Sequence, residues 1–253
     1  MTIRTYSGMI RVRTVLISLA IGALAVASSL AYRRKFTSQP GESAAAATSS
    51  ATIQRLFENG LDSLTNALVA FDNVAENGNI ATLRTSFRAA RLAYKLQETL
   101  LAENGPSTAG VLNGPLPEDD DGPPQPLGQP AAFQRIEAII FENDSLSAQQ
   151  RSEIRGNISV MRKSVVALRK LTPYFGLTEA HVANSMRTEL ARITILGFAG
   201  FDSDQSGDAI VESGRALNGM AVLAKTAAAA FQHRAMWTAL RDTILAAQLA
   251  LQG

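Results

Sequence analysis

The stretch "AAFQRIEAIIFEND" (residues 131–144) sets a carboxylate where apolar side chains are wanted. Wound as a helix, Phe133, Ile136, Ile140 and Phe141 share one face, and Glu137 stands in the same stripe. Burying a carboxylate unpaired is strongly unfavourable, so Glu137 needs a cation, a metal or a proton of its own. Gln134, three residues earlier on that face, adds an amide oxygen. The two could ligate a hard cation, whereas iron, copper or zinc call for imidazole or thiolate donors. The plainer alternative is a structural, paired glutamate.

A counter-charge is available in "FRAARLAYKLQE" (87–98), where Phe87, Arg91, Tyr94 and Glu98 recur at i, i+4, i+7 and i+11. Arg91 thus shares a helix face with core-type aromatics, and a bidentate fork from Arg91 would satisfy Glu137. Otherwise Arg91 reaches out to solvent along its aliphatic stem. Glu98, on the same face, joins Glu137 and Gln134 as a third candidate ligand for a divalent metal. A second cation candidate is "DSDQSGDAIVES" (202–213), with Asp202, Asp204, Ser206, Gly207 and Asp208. An EF-hand would need its bidentate glutamate at Ser213, and the glutamate stands at 212, so a polar helix connection is the simpler reading. His181 sits where a first-turn residue takes part in capping, and His233 and Trp237 are i, i+4 neighbours suited to packing. The acidic "EDDD" at 118–121 reads as a solvated loop.

Composition narrows the chemistry further. There is no cysteine among the 253 residues, which removes disulfides, thiolate metal sites, a thiol nucleophile and covalently attached c-type haem. With two histidines, a multi-histidine metal site cannot be built within one chain. Neither histidine has a serine and an acid arranged nearby as a hydrolase would need, so no enzyme class is supported. Of the 24 basic residues, six (Arg4, Arg11, Arg13, Arg33, Arg34, Lys35) precede position 36, where there is no acid. The body is left with 18 basic against 22 acidic residues, which gives nucleic-acid binding no support.

These residues must be held by helices. "SATIQRLFENGLDSLTNALVAFDNVAENG" carries Ile53, Leu56, Phe57, Leu61, Leu64, Leu68 and Phe71 at helical spacing. A second helix follows Asn79, a plausible N-cap, and ends before Gly105. Residues 105–130 hold seven of the nine prolines and read as a long irregular loop. The helix carrying Glu137 comes next. Another begins at the capping box Ser147-x-x-Gln150 and stops before Pro173. A further helix starts at Thr178, and two more run from about Gly207 to the end, parted near the alanines at 227–230. No segment alternates with period two. The fold class is all-α, an antiparallel helical bundle over 51–253.

Ahead of it, residues 14–32 form a 19-residue uncharged apolar run flanked by basic residues. At ~1.5 Å per residue it reaches about 28 Å, close to a hydrocarbon core. Residues 1–35 therefore read either as a signal peptide, with "AVA" at 25–27 as a small-x-small site, or as an uncleaved membrane anchor. Either way the body is expected on the outer side of the cytoplasmic membrane. Residues 36–50 read as a flexible linker.

Four blocks in order, "FRAARLAYKLQE" (87–98), "LNGPLPE" (112–118), "AAFQRIEAIIFE" (131–142) and "LTEAHV…RITILGFAGFDS" (177–203), resemble the imelysin-like helical domain of bacterial envelopes. The nearest version is the N-terminal region of di-haem cytochrome c peroxidase-type proteins, and the resemblance spans about 53–225. It implies an exported helical bundle linked to iron uptake or haem-peroxidase machinery, with an envelope haem, redox or iron-uptake protein as partner. Arg91 and Glu98 fall on the family's arginine and following glutamate. The family's Gly-x-His-x-x-Glu motif falls on Ala132, Gln134 and Glu137, so its glutamate alone is kept. Without Cys-x-x-Cys-His, peroxidase chemistry does not carry over. The expectation is a non-catalytic envelope binding or accessory module, with no covalent haem; the alternative is a periplasmic protein that binds iron, copper or calcium.

Overall fold

A computed structural model of the chain describes residues 43–114, 132–200 and 203–252. Those residues fold into eight α-helices: α1 (Ser43–Asn77), α2 (Ile80–Asn104), α3 (Pro106–Leu112), α4 (Ala132–Glu142), α5 (Ala148–Leu171), α6 (Glu179–Arg192), α7 (Ala209–Ala230) and α8 (Arg234–Gln252). A 3-10 turn (Thr172–Tyr174) follows α5, and a π-helical turn (Ile193–Gly197) continues α6. Pairing of the extended type is limited, among the described residues, to an isolated bridge between Asn113 and Ala132. The all-helical class read from periodicity holds.

Local chemistry sets the helix starts. Asn79 Oδ1 accepts the Thr82 N–H at 2.9 Å, and Thr178 caps α6 by accepting the His181 N–H. Ser147 and Gln150 close a reciprocal capping box, satisfying two donors that the first turn would otherwise leave orphaned. Links of two or three residues, Gly78–Asn79 and Phe231–His233, turn the chain back so that α2 lies on α1 and α8 on α7.

α2 is the hub, packed against α1, α4, α6 and α7. The α1 stripe supplies Ile53, Phe57, Leu61, Leu64, Leu68 and Phe71, all buried. Each such side chain contributes about 1.5–3 kcal/mol of transfer free energy. Phe87 anchors an aromatic cluster, edge-on to Phe71, Phe133 and Phe141, and this docks α4 onto α2. On the far side α7 comes so close to α2 that a Cβ at Gly219 would run into the Leu96 carbonyl.

Two readings of organisation need correction. Helix α1 already begins at Ser43, so residues 43–50 are not linker; the alanine run there has the highest helix propensity and extends the helix backwards. Likewise 105–130 is not wholly irregular, because 106–112 wind into α3. Pro106 occupies its first position, where a missing N–H has no cost and the fixed φ favours the helix. The leader 1–35, the linker up to 42 and loop residues 115–131, including "EDDD", lie outside the described residues.

Candidate functional site

Polar side chains enter the core mainly along one face of α2, in two clusters centred about two helical turns apart. The first centres on Arg91, which has no exposed surface. Its Nε and Nη2 donate to Glu212 Oε1 and Oε2 at 2.8 and 2.6 Å, and Nη1 donates to Asn113 Oδ1 at 2.8 Å. The guanidinium lies over the Phe133 ring, 5.4 Å from its centroid. Gln134 Nε2 donates to the same Asn113 oxygen at 3.0 Å, so Asn113, at the end of α3, joins α2 to α4.

The expected Arg91–Glu137 bridge is therefore corrected: the fork closes on Glu212 of α7. Glu137, 1% exposed, accepts the Ser206 backbone N–H at 2.9 Å. Burial pushes its carboxyl above the usual range, against the lowering effects of Ser206 and of the Arg91 charge nearby. Glu137 thus feels Arg91 without being its hydrogen-bonding partner. The cause is register, since the first turn of α7 reaches Arg91 while the preceding turn, Ser203–Gly207, closes over Glu137.

The second cluster centres on Glu98. Tyr94 Oη donates to Oε1 at 3.0 Å, Lys95 Nζ to Oε2 at 2.8 Å, and Arg192 Nη2 to Oε1 at 2.8 Å. With two cations and a phenol on it, the Glu98 carboxylate has the surroundings of an ion-paired joint between α2 and α6. Burial works against the Arg192 charge, yet Glu98, Tyr94 and Glu189 hold its guanidinium more firmly protonated than usual. Glu189, also 1% exposed, stands beside this cluster, and its Oε2 lies 3.7 Å from Arg192 Nε. Burial first, and then the Glu98 charge, drive its carboxyl well above the ordinary range.

Of the acids of the calcium reading, the two that are described take separate neighbours. Asp208 pairs with Arg88 (Nε–Oδ2 2.5 Å), Asp204 is exposed and accepts from Gln205, and Asp202 lies outside the described residues. Among the described residues no group of three or more His, Asp or Glu side chains is arranged to hold a metal ion. The histidines join the scaffold. His181 Nδ1 is 2.7 Å from the Gly176 carbonyl; His233 Nδ1 and Trp237 Nε1 meet the two oxygens of Glu179 at 2.9 and 2.6 Å, fastening α8 to the start of α6.

Sequence reasoning missed Glu212, Glu189 and Lys95. The signal that exposed Glu137 was there for two of them. Glu212 is in step with Ala216, Met220, Leu223 and Ala227, and Glu189 with Val182, Met186 and Ile193, all buried. Away from both clusters, a cleft of about 190 Å³ between α1, α2 and α7 is walled by Leu56, Leu96, Leu100, Val222 and Leu223. Comparisons of the chain with protein-family models, curated proteins and solved structures each return no match.

Proposed function

We propose that the chain is a non-catalytic binding or accessory module of the cell envelope, held outside the cytoplasmic membrane behind its apolar leader and working beside iron-uptake or haem-peroxidase machinery. One observation carries the non-catalytic part. Most of the buried groups that could serve as acid, base or ligand, Glu189 excepted, are spent on protein partners: Arg91 on Glu212 and Asn113, Glu98 on Tyr94, Lys95 and Arg192, and Glu137 on Ser206. They join α2 to α6, α7 and the end of α3, and α4 to the turn before α7, which is what a rigid scaffold requires and not what a reaction requires.

The imelysin-like part of the reading draws support from Ala132. Its φ is +51°, in the left-handed region that glycine enters freely and alanine does not, and the resembling family keeps its motif glycine there. Among the described residues no helix is long and apolar enough to cross a membrane, so envelope attachment in this reading falls to residues 14–32.

The test is fractionation of cells producing the intact chain, followed by crosslinking in the envelope fraction. Recovery outside the cytoplasm with an iron- or haem-containing protein crosslinked to it fits the proposal. Recovery in the cytoplasm refutes it.

A further inference from the structure

Glu189 is the buried acid that neither cluster satisfies. Both of its oxygens lack a hydrogen-bond donor among the described residues; Arg192 Nε lacks an acceptor there, and Ser213 Oγ has no partner. These groups, with Lys95, Glu98 and Glu212, line one internal cavity of about 10 Å³, the room one water needs. The charged or titratable groups that face it besides Glu189 are Lys95 and Glu98 from α2, Arg192 from α6 and Glu212 from α7, with Tyr94 of α2 behind them on Glu98. Three of those are already committed: Glu212 is locked to Arg91, and Lys95 and Arg192 to Glu98. An ionised Glu189 would find no donor at hydrogen-bonding distance and a second carboxylate next to it.

We propose that Glu98 and Glu189 form a buried carboxyl pair that binds one proton between them, and that this shared proton latches α6 to α2. A protonated Glu189 becomes a donor, and the acceptor facing it is the Glu98 carboxylate, which lines the same cavity and shares Arg192 with it. The same proton removes the repulsion that two carboxylates sharing a site must otherwise bear. Parting the seam exposes both groups to water, where a glutamic acid ionises near ~4.3, so opening releases the proton to solvent. Linkage then fixes the response: opening becomes easier as pH rises above about 4.3, and the trend levels off once the closed pair also ionises. The place that can yield is adjacent, because the π turn Ile193–Gly197 follows Arg192 directly and Gly197 lies against Ser213. The latch is therefore closed in acid and progressively looser towards neutral pH.

Infrared spectroscopy of the whole chain reads the proton directly. The carbonyl stretch of a buried carboxylic acid should persist above the ordinary carboxylate range, survive in Glu137→Gln and disappear in Glu189→Gln. Amide hydrogen exchange reads the latch. In the parent protein, protection of residues 189–197 should fall by up to about tenfold per pH unit between the ordinary carboxylate range and the pair's own titration. In Glu189→Gln, whose amide can donate to Glu98 at any pH, that protection should stay flat. A band unchanged by Glu189→Gln, or a protection profile that is the same in both proteins, overturns the proposal. Should Glu189→Gln fail to fold, the parent decides alone: without a persistent acid band, there is no shared proton.

Discussion

Removing Glu212 should strand the Arg91 guanidinium in the core, and the size of that penalty follows from the geometry. The side chains of Arg91 and Glu212 are 1% and 4% exposed, and both arms of the fork are short. Deleting one member of such a pair typically costs about 3–5 kcal/mol, because the survivor stays charged and dry. Glu212→Ala leaves Asn113 and the Glu137 field nearby, so the lower half of that range is expected. Arg91→Ala also loses its contact with the Phe133 face and the Asn113 hydrogen bond, which places it in the upper half. The double variant has no stranded charge and should be less destabilised than the sum by about 1.5–3 kcal/mol. Urea unfolding followed by far-ultraviolet circular dichroism measures all four corners of the cycle. A parallel cycle of Arg91→Ala with Glu137→Ala should show a clearly smaller coupling, since those groups interact only through their fields. Additivity within about 0.5 kcal/mol for the Arg91–Glu212 cycle, or a larger coupling for Arg91–Glu137, would refute the pairing.

Three further outcomes are expected. Ala132→Gly should stabilise the fold by about 1 kcal/mol by relieving the left-handed φ at the start of α4, read as a higher urea midpoint with an unchanged slope. Gly219→Ala should destabilise by about 1–3 kcal/mol, because its Cβ meets the Leu96 backbone and not a side chain that can swing away; thermal unfolding checks this. Glu137 has its folded-state pKa raised by burial, so its contribution is present in full below about 4.3 and declines as pH rises through the folded value. Glu137→Gln should accordingly gain stability relative to the parent as pH goes from 4 to 7, measured by parallel urea titrations at each pH.

The helical frame was legible because its signals are local. The α1 stripe, the Asn79 and Thr178 caps and the Ser147–Gln150 box each involve residues a few positions apart. The burial of Glu137 was legible for the same reason, from its place in an apolar stripe. Its partner was not. Arg91 and Glu212 are separated by 121 positions, and which carboxylate meets the fork depends on how far α7 slides along α2. That offset is set by close approaches such as Gly219 on Leu96, which leave no mark in a periodicity. Helix α3 was obscured by counting prolines without asking which helical position each would occupy.

The claim that buried acids here are joints and not ligands meets its most direct test in elemental analysis of the intact chain recovered from the envelope fraction. The account predicts iron, copper, zinc and calcium all well below one equivalent per chain, unchanged by Glu137→Gln. One equivalent of any of these metals, lost on Glu137→Gln with the fold intact, would contradict it and make Glu137 a ligand.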